Sequence, residues 1–180
     1  MASTKPAIAI IGAGIAGLTM AATLRKIGLQ ADIYEQAQAF AWVGAGLQLN
    51  PNAMKVLRGL GLEERIRRVG FAPEVGHNRE WDTGEITYLH PMGAEIERRF
   101  GAPDVSLHRA ELHAALISIN APDVFHLNKK LVGLDRAGAR LLLTFADGTR
   151  AEADAVIGAD GVHSTVLDIL FGTGQPRFTG

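Results

Sequence analysis

The sequence predicts an α/β protein whose amino-terminal part is a Rossmann-like βαβ unit, and three observations lead to that prediction. An apolar, β-branched run over residues 7–11 leads into the glycine-rich turn of residues 12–17, GAGIAG. A helical pattern follows the turn and ends near Gly28. A second apolar run over residues 31–34 then ends at Glu35. This order of strand, glycine turn, helix, strand and carboxylate is typical of adenine-dinucleotide-binding units.

Each glycine of the turn has a separate physical role in such a unit. Gly12 permits the tight turn, Gly14 lets the backbone approach phosphates, and Gly17 lets the helix pack against the strand. The helix N-terminus adds unpaired N–H groups and the positive end of the helix dipole. Glycine-rich turns also occur as plain strand–helix connections, so the turn alone is not decisive.

Glu35 is placed to accept hydrogen bonds from the two hydroxyls of a ribose. The alternative is a solvated carboxylate at a strand end. A carboxylate at this position disfavours a 2′-phosphate, so NADP is the least favoured ligand of this unit. The βαβ unit by itself leaves NAD and FAD open.

Length, composition and charge limit the class of protein. The chain has 180 residues, of which 47% are hydrophobic, a formal net charge of −1 and no cysteine. This is enough chain for one domain with a substantial core, or for one domain with an appendage. The near-neutral charge disfavours nucleic acid and stable membrane association as partners. Without cysteine there is no disulfide or zinc–thiolate site. The first residues lack the pattern of a secretory signal, so we expect a cytoplasmic protein.

Beyond the βαβ unit, patterning predicts helices, a hairpin and a meander. The first region has helices ending at Gly61 and Val69, and then a hairpin whose strands flank the turn of residues 82–85. An amphipathic helix is expected over residues 109–119, and a three-strand β-meander over residues 131–153. A short buried strand at residues 155–157 and a helix at residues 164–170 complete the predicted order.

Asp160 and Gly161 form the second informative motif. They follow the buried strand directly, and the carboxyl ends of parallel strands form the crevice in which α/β sheets bind ligands. The plain alternative is an ordinary Asp-Gly turn. No metal site is expected, because the histidines are scattered and His108 and His113 are five residues apart, off the spacing that places two ligands on one helix face.

Several segments together carry a resemblance to a known family. They are GAGIAG with Glu35 and Gln36, residues 44–53 (GAGLQLNPNA), residues 107–112 (LHRAEL), residues 145–149 (FADGT) and residues 159–164 (ADGVHS). In these segments the sequence resembles the flavoprotein aromatic hydroxylases, the single-component FAD-dependent monooxygenases that include salicylate and 6-hydroxynicotinate hydroxylases. The resemblance runs through essentially the whole chain.

The resemblance implies a set of cofactor-binding residues. They are Gly12, Gly14, Ile15, Ala16, Gly17, Glu35, Gln36, Gln48, Arg109, Leu131, Asp160 and Gly161.

Within this set, the resemblance implies different parts of the FAD molecule for different residues. Residues 14–17 would hold the pyrophosphate, and Glu35 the adenosine ribose. Arg109 would reach the diphosphate and ribityl groups, although a surface arginine is the alternative. Leu131 would contact the adenine through its backbone. Asp160 would be linked to FAD and to a transiently bound NAD(P)H, and Gln48 would lie at the isoalloxazine edge near the substrate.

The activity that the resemblance implies is hydroxylation of an aromatic carboxylate-type substrate. NAD(P)H would reduce FAD, O2 would add to form a C4a-hydroperoxyflavin, and one oxygen would pass to the aromatic ring. The catalytic residues stay unknown. Two alternatives stay open: a catalytically inactive, truncated FAD-binding fragment, and a small NAD-binding oxidoreductase.

The sequence departs from the family pattern at two residues and in length. No arginine follows Ser164 within three residues, and Gln48 stands where 6-hydroxynicotinate enzymes have a histidine. Glutamine cannot act as a base near neutral pH. Family members are about twice as long, and their later segment that completes the FAD site has no counterpart here. We therefore expect this chain to bind FAD weakly and not to hydroxylate.

The predicted domain organisation follows from the same comparison of length. Residues 1–72 and 101–172 would form the FAD-binding domain, and residues 73–100 a hairpin from an incomplete substrate domain. Residues 173–180 would be a tail toward the missing half. The exposed strand edges of the hairpin make a homo-oligomer an expected partner state.

Overall fold

The structure is a computed structural model that describes residues 5–40 and 44–172. In chain order its elements are β1 (Ile8–Ile11), α1 (Ile15–Lys26), β2 (Ala31–Tyr34), β3 (Gly46–Leu49), α2 (Pro51–Gly59), α3 (Glu63–Val69), β4 (Val75–Arg79), β5 (Ile86–Pro91), α4 (Ala94–Phe100), β6 (Val105–His108), α5 (Arg109–Ser118), β7 (Phe125–His126), β8 (Leu131–Ala137), β9 (Arg140–Phe145), β10 (Arg150–Ala153), β11 (Ala155–Gly158) and α6 (Thr165–Phe171). The predicted tail, residues 173–180, lies outside the described residues.

The chain divides into two compact units, with divisions after residue 41 and after residue 115. The first unit combines the amino-terminal βαβ segment with the chain after residue 115, and the second unit is the intervening segment. The predicted assignment of residues 73–100 to a separate substrate domain stays a prediction.

A parallel four-stranded sheet organises the first unit. Its strand order is β11-β1-β2-β7, and every pair in it is parallel. All four residues of β1 are buried, and Ile10 pairs with Ile33 on one side and Ile157 on the other. A strand that is apolar on both faces is suited to a central position covered from both sides. The predicted Rossmann-like βαβ unit is confirmed.

The two faces of this sheet pack against different partners. Ile10 faces α1, where a Cβ on Gly17 would lie 3.2 Å from its Cγ2 atom. On the opposite face, Ala9 and Ile11 belong to a buried cluster with residues of the antiparallel meander β8–β9–β10. The other buried members of the cluster are Leu131, Leu143, Phe145, Ala153 and Val166. The predicted meander is therefore confirmed, and it forms one of the layers that cover the sheet.

The second unit is built on an antiparallel pair of strands and two helices. β3 pairs with β6, with Gln48 opposite Ser106 and Leu49 opposite Val105. Met54 of α2 and Ile66 of α3 are completely buried. The predicted hairpin is also present as β4 and β5, joined by a turn in which Gly84 has a positive φ of 73°. The residues of both hairpin strands are almost all exposed.

Four elements of the structure were not predicted from the sequence. They are β6, the two-residue β7, α4 and a short 3-10 helix over Pro122–Val124. β7 is too short for a periodic pattern, and the partners of β6 and β7, which are β3 and β2, are distant in sequence. α4 has no buried residue, so it lacks the apolar stripe by which helices are recognised. Asn50 occupies the N-cap position of α2, where its side chain makes no capping hydrogen bond and its backbone carbonyl accepts the Met54 N–H at 3.1 Å.

A buried carboxylate leads to a prediction for stability. Asp104 is 7% exposed, and no described residue offers its Oδ1 atom a hydrogen bond. Burial raises the pKa of Asp104 above its ordinary value because the charged form loses its hydration. A pKa that is higher in the folded state than in the unfolded state costs stability once the pH rises above the unfolded value.

We therefore expect Asp104→Asn to raise the free energy of unfolding at pH 7 by about 1 kcal/mol, since it removes an unpaired buried charge. Urea unfolding at several pH values measures this change. The advantage of the variant should shrink as the pH falls toward 4. An advantage that is independent of pH would contradict this explanation.

Candidate functional site

A cleft lies at the carboxyl ends of strands β1, β2 and β11 in the first unit. Its volume is about 230 Å3. The lining residues are Ile11, Gly12, Gly14, Tyr34, Glu35, Gln36, Lys129, Lys130, Leu131, Ala159, Asp160, Gly161, His163 and Thr165. Seven residues of the predicted cofactor set are therefore brought together here, from segments that are far apart in sequence.

Gly12 is the point at which the β1 turn meets the loop after β11. Its φ is +102°, and a Cβ there would lie 2.4 Å from the carbonyl oxygen of Ala159. The Gly12 N–H donates to the Tyr34 carbonyl at 2.8 Å. Only glycine combines this backbone conformation with such a close approach. The spatial contact between the glycine turn and the Asp-Gly motif thus depends on the absence of a side chain at this position.

Gly17 and Gly14 have opposite surroundings. A Cβ on Gly17 would lie 2.0 Å from the Gly12 carbonyl oxygen, so the first turn of α1 packs directly on the glycine turn. A Cβ on Gly14 would meet nothing within 4 Å. Gly14 borders the cleft, and its backbone is therefore open to a ligand.

The N-terminus of α1 provides donors beside this open position. The first intrahelical hydrogen bond runs from the Leu18 N–H to the Gly14 carbonyl, at 3.0 Å. The N–H groups of Ile15, Ala16 and Gly17 therefore precede the helical ladder. The first turn contains no acidic residue, so nothing there opposes an anion.

Glu35 joins the end of β2 to the glycine turn. Its Oε2 atom accepts the Ala13 N–H at 2.7 Å, and its Oε1 atom accepts the Ala37 N–H at 2.9 Å. These two bonds hold the half-buried carboxylate in one orientation at the cleft. Each carboxylate oxygen has a further lone pair, so Glu35 retains acceptors for ligand hydroxyls.

Asp160 organises the loop that it occupies. Its Oδ1 atom accepts the Ser164 hydroxyl at 2.6 Å, and its Oδ2 atom accepts the Val166 N–H at 3.0 Å. The Ser164 hydroxyl oxygen in turn accepts the Leu167 N–H at 3.0 Å and caps α6. The Asp160 carboxylate therefore fixes the start of α6 next to the cleft. A direct role for Asp160 at the cofactor stays a prediction.

Gln48 and Arg109 belong to the second unit. Gln48 is exposed on β3, and Arg109 is exposed at the start of α5. The Arg109 N–H donates to the Ala45 carbonyl at 3.1 Å. A Cβ on Gly44 would lie 2.9 Å from the Arg109 Cβ, so the arginine stem passes directly over this glycine. Their predicted contacts with FAD stay predictions.

Seven further residues line the cleft and were not predicted from the sequence. They are Ile11, Tyr34, Lys129, Lys130, Ala159, His163 and Thr165. Tyr34 and Ala159 precede predicted site residues directly, and Lys129 and Lys130 precede Leu131. Their positions beside known motif residues were the available signal, but apolar or charged residue type alone does not distinguish a cleft wall from an ordinary loop.

Within residues 5–40 and 44–172, no three potential His, Asp or Glu ligands lie in a group that could hold a metal ion. No helix in the same part of the chain is long and apolar enough to cross a bilayer.

Comparison with known proteins identifies the class of protein. The family described as the FAD binding domain matches residues 5–171. The 6-hydroxynicotinate 3-monooxygenase of Bordetella bronchiseptica is 38% identical over 176 residues, which cover 98% of this chain and 46% of that protein. The 3-amino-4-hydroxybenzoate 2-monooxygenase of Streptomyces cremeus is 42% identical, with 96% of this chain and 44% of that protein covered.

Solved structures give the same result. HpxO of Klebsiella pneumoniae, complexed with FAD and uric acid, matches with a TM-score of 0.85 and 26% identity over 96% of this chain and 43% of its own. The 2,6-dihydroxypyridine-3-hydroxylase of Arthrobacter nicotinovorans matches with a TM-score of 0.81 and 30% identity over 98% of this chain and 42% of its own.

The chain belongs to the FAD binding domain family. The curated relatives named above are monooxygenases. The predicted family, fold class and FAD cofactor are confirmed by these matches. The chain spans less than half the length of the curated relatives it matches.

The cleft fits the adenosine and pyrophosphate part of FAD on its own geometry. The space above Gly14 would admit a phosphate, and the free N–H groups of α1 point to the same end of the sheet. The Glu35 carboxylate has acceptors left for a ribose. The residues that would hold this part of FAD are thus Gly14, the first turn of α1 and Glu35.

Two alanine substitutions should separate packing from binding. Gly17→Ala should lower the free energy of unfolding by about 3 kcal/mol, because its Cβ would overlap the Gly12 carbonyl. Gly14→Ala should change stability by less than about 1 kcal/mol, since its backbone is extended and the space is open. The Gly14 variant should instead bind FAD at least about tenfold more weakly, since the methyl group occupies the space of the phosphate.

Chemical denaturation and a flavin fluorescence titration measure the two effects. Gly59→Ala, at the end of α2, is the control for a glycine far in sequence from the glycine turn, since a Cβ there would also meet nothing within 4 Å and its φ is not positive. FAD affinity that is equal in Gly14→Ala and wild type would contradict the assignment of the phosphate to this space.

Proposed function

We propose that this chain is the FAD-binding part of an NAD(P)H-dependent flavin monooxygenase that hydroxylates a small aromatic, carboxylate-type substrate with O2. The observation that carries the proposal is the cleft itself. Its open Gly14 backbone and its fixed Glu35 carboxylate lie at the same end of the parallel sheet. The family match supports FAD as the molecule that this arrangement binds.

Each end of the adenosine diphosphate has a proposed set of partners. The N–H groups at the start of α1 would receive the pyrophosphate, whose charge the helix dipole favours. Glu35 would accept the ribose hydroxyls, and its negative charge would repel a 2′-phosphate. The backbone of Leu131, whose side chain is buried in the cluster, would contact the adenine.

The chemistry of hydroxylation belongs to the cofactor. When bound, FAD supplies the redox chemistry that activates O2, which no amino-acid side chain can supply. The protein has to bind the cofactor, orient the substrate and exclude water.

The substrate class rests on the relatives. Those proteins are named for hydroxylation of hydroxynicotinate, aminohydroxybenzoate and dihydroxypyridine, which are small aromatic rings. We propose Gln48 as the residue of this chain nearest the substrate. Its amide can donate and accept hydrogen bonds but does not take a proton near neutral pH. Gln48 would therefore orient a ring substituent rather than deprotonate it.

A titration of the purified chain with FAD, NAD+ and NADP+ tests the cofactor. We expect FAD to bind. Glu35→Gln should weaken the binding of FAD about tenfold, because the N–H of either Ala13 or Ala37 would then face an amide nitrogen. Glu80→Gln, on the exposed hairpin turn, is the matched control and should bind as wild type does. Binding of NAD+ without FAD would support a small NAD-dependent oxidoreductase instead.

A turnover measurement distinguishes an active monooxygenase from an inactive FAD-binding fragment. Oxidation of NADH by the FAD-loaded chain, stimulated by an aromatic acid, would support a monooxygenase active on these residues. Bound flavin without such stimulation would support an FAD-binding segment that is inactive by itself.

Arg109→Ala tests the proposed contact of the second unit with FAD. If the guanidinium reaches the diphosphate, the loss of its charge-assisted hydrogen bonds should weaken the binding of FAD by about tenfold. The matched control is Arg68→Ala, an exposed arginine on α3. Equal FAD affinity in the two variants would show that Arg109 is a surface residue that does not contact FAD.

A further inference from the structure

The segment of residues 128–131 forms one wall of the cleft, and three bonds of its backbone hold it there. The Asn128 N–H donates to the Ala37 carbonyl at 2.9 Å. The Lys129 N–H donates to the Glu35 carbonyl at 2.8 Å, and the Lys130 carbonyl accepts the Ala146 N–H at 2.8 Å. The segment therefore connects the residue proposed to bind the ribose with the β9–β10 turn of the meander.

The backbone of this segment is not in an ordinary extended conformation throughout. Asn128 has a positive φ of 57°, and it is the residue other than glycine for which the described chain shows such a value. Asparagine tolerates the left-handed region better than most residues, but a further restraint is needed to hold the chain there. The adjoining side chain of Lys129 provides one.

Lys129 is tied to the turn of residues 147–149 by two hydrogen bonds. Its ammonium group donates to Asp147 Oδ2 at 2.5 Å and to the Thr149 hydroxyl at 2.8 Å. The Thr149 hydroxyl donates to Asp147 Oδ1 at 2.7 Å, which closes a three-residue network. The Lys129 and Asp147 side chains are 24% and 31% exposed, so the pair lies at the surface and acts mainly by fixing the geometry of the two segments rather than by its Coulomb energy.

The Asp147 carboxylate stays ionised at physiological pH. The hydrogen bonds from Lys129 and then from Thr149 lower the pKa of Asp147 to about 2. An ammonium group has three protons, and two of them are already donated within the network. Lys129 therefore lines the cleft while its charge is directed at the meander turn.

We propose that Lys129 is a positioning residue for cofactor binding: by bonding Asp147 and Thr149 it fixes residues 128–131 beside Glu35 and so sets the affinity of the cleft for the adenosine end of FAD. The inference rests on the proposed function, since it takes the cleft to bind FAD. Lys129 acts through the wall of the site and through Glu35, whose carbonyl its backbone contacts.

The test uses the full chain and ADP as the probe, because ADP contains the adenosine and diphosphate but no flavin. We expect Lys129→Met and Asp147→Asn each to weaken the binding of ADP about tenfold, which is the scale of coupling within one hydrogen-bond network. The double variant should be no more than about twofold weaker than either single variant, since both remove the same network. Lys129→Arg, which keeps the charge and its donors, should restore affinity to within about threefold of wild type.

Glu152→Gln is the matched control. It breaks the ion pair of Arg140 with Glu152 at 2.9 Å, which lies on the same meander between β9 and β10. Neither of these residues lines the cleft. This variant should bind ADP as wild type does, even if it loses a similar amount of stability.

A second measurement needs no ligand. Amide hydrogen exchange of residues 128–130 should become faster in Lys129→Met and Asp147→Asn, and stay at the wild-type rate in Glu152→Gln. If Lys129→Met does not fold, Thr149→Val is the substitute, because it removes the shared hydroxyl with little change in volume. It should raise the same exchange rates and weaken the binding of ADP about threefold.

The outcomes are distinguishable. Weaker ADP binding in Lys129→Met with unchanged binding in Asp147→Asn would overturn the inference, because Lys129 would then contact the ligand directly. Wild-type affinity and exchange rates in both variants would also overturn it. A wild-type chain that binds neither FAD nor ADP would overturn the proposed function, and this inference with it.

Discussion

The first unit depends on the close backbone packing of the glycine turn, which α1 contacts on one side and the loop after β11 contacts on the other. The carbonyl of Gly12 lies where a side chain on Gly17 would have to be, and the carbonyl of Ala159 lies where a side chain on Gly12 would have to be. These two approaches bring β1, α1 and the loop after β11 within van der Waals distance of each other. Without them, the helix N-terminus and the carboxyl end of β11 would not border the same cleft.

The carboxylates around the cleft first serve the fold and then have capacity left for a ligand. Glu35 accepts N–H groups from the glycine turn and from Ala37, and Asp160 accepts donors from the start of α6. An unpaired carboxylate in a half-buried position would be costly, whereas a carboxylate with two donors is held in place. Pre-organisation of this kind reduces the entropy that ligand binding would otherwise have to overcome.

The meander has a role beyond covering the sheet. Its apolar face buries Leu143 and Phe145 against β1, and its β9–β10 turn reaches the cleft wall through Lys129. Tyr34, the residue before Glu35, stacks on Phe145 with ring centroids 4.8 Å apart and on His126 at 4.7 Å. The same layer thus supports the end of β2 from one side, so that packing and the position of Glu35 are linked.

The sequence alone determined the βαβ unit, the meander and half of the residues that line the cleft, because each of these has a local signature. Glycine spacing, β-branched runs and the Asp-Gly motif are properties of a few consecutive residues, and the hydrophobic period reports which face of an element is buried.

The sequence could not determine β6, β7 or the clustering of Lys129 with Asp147 and Thr149. Both strands pair with segments that are distant in sequence, and an ion pair across a turn likewise depends on how two distant segments pack. The tertiary structure decided these features, and it also decided that Asp160 holds the start of α6, since hydrogen bonds of a carboxylate follow from which donors the fold brings near.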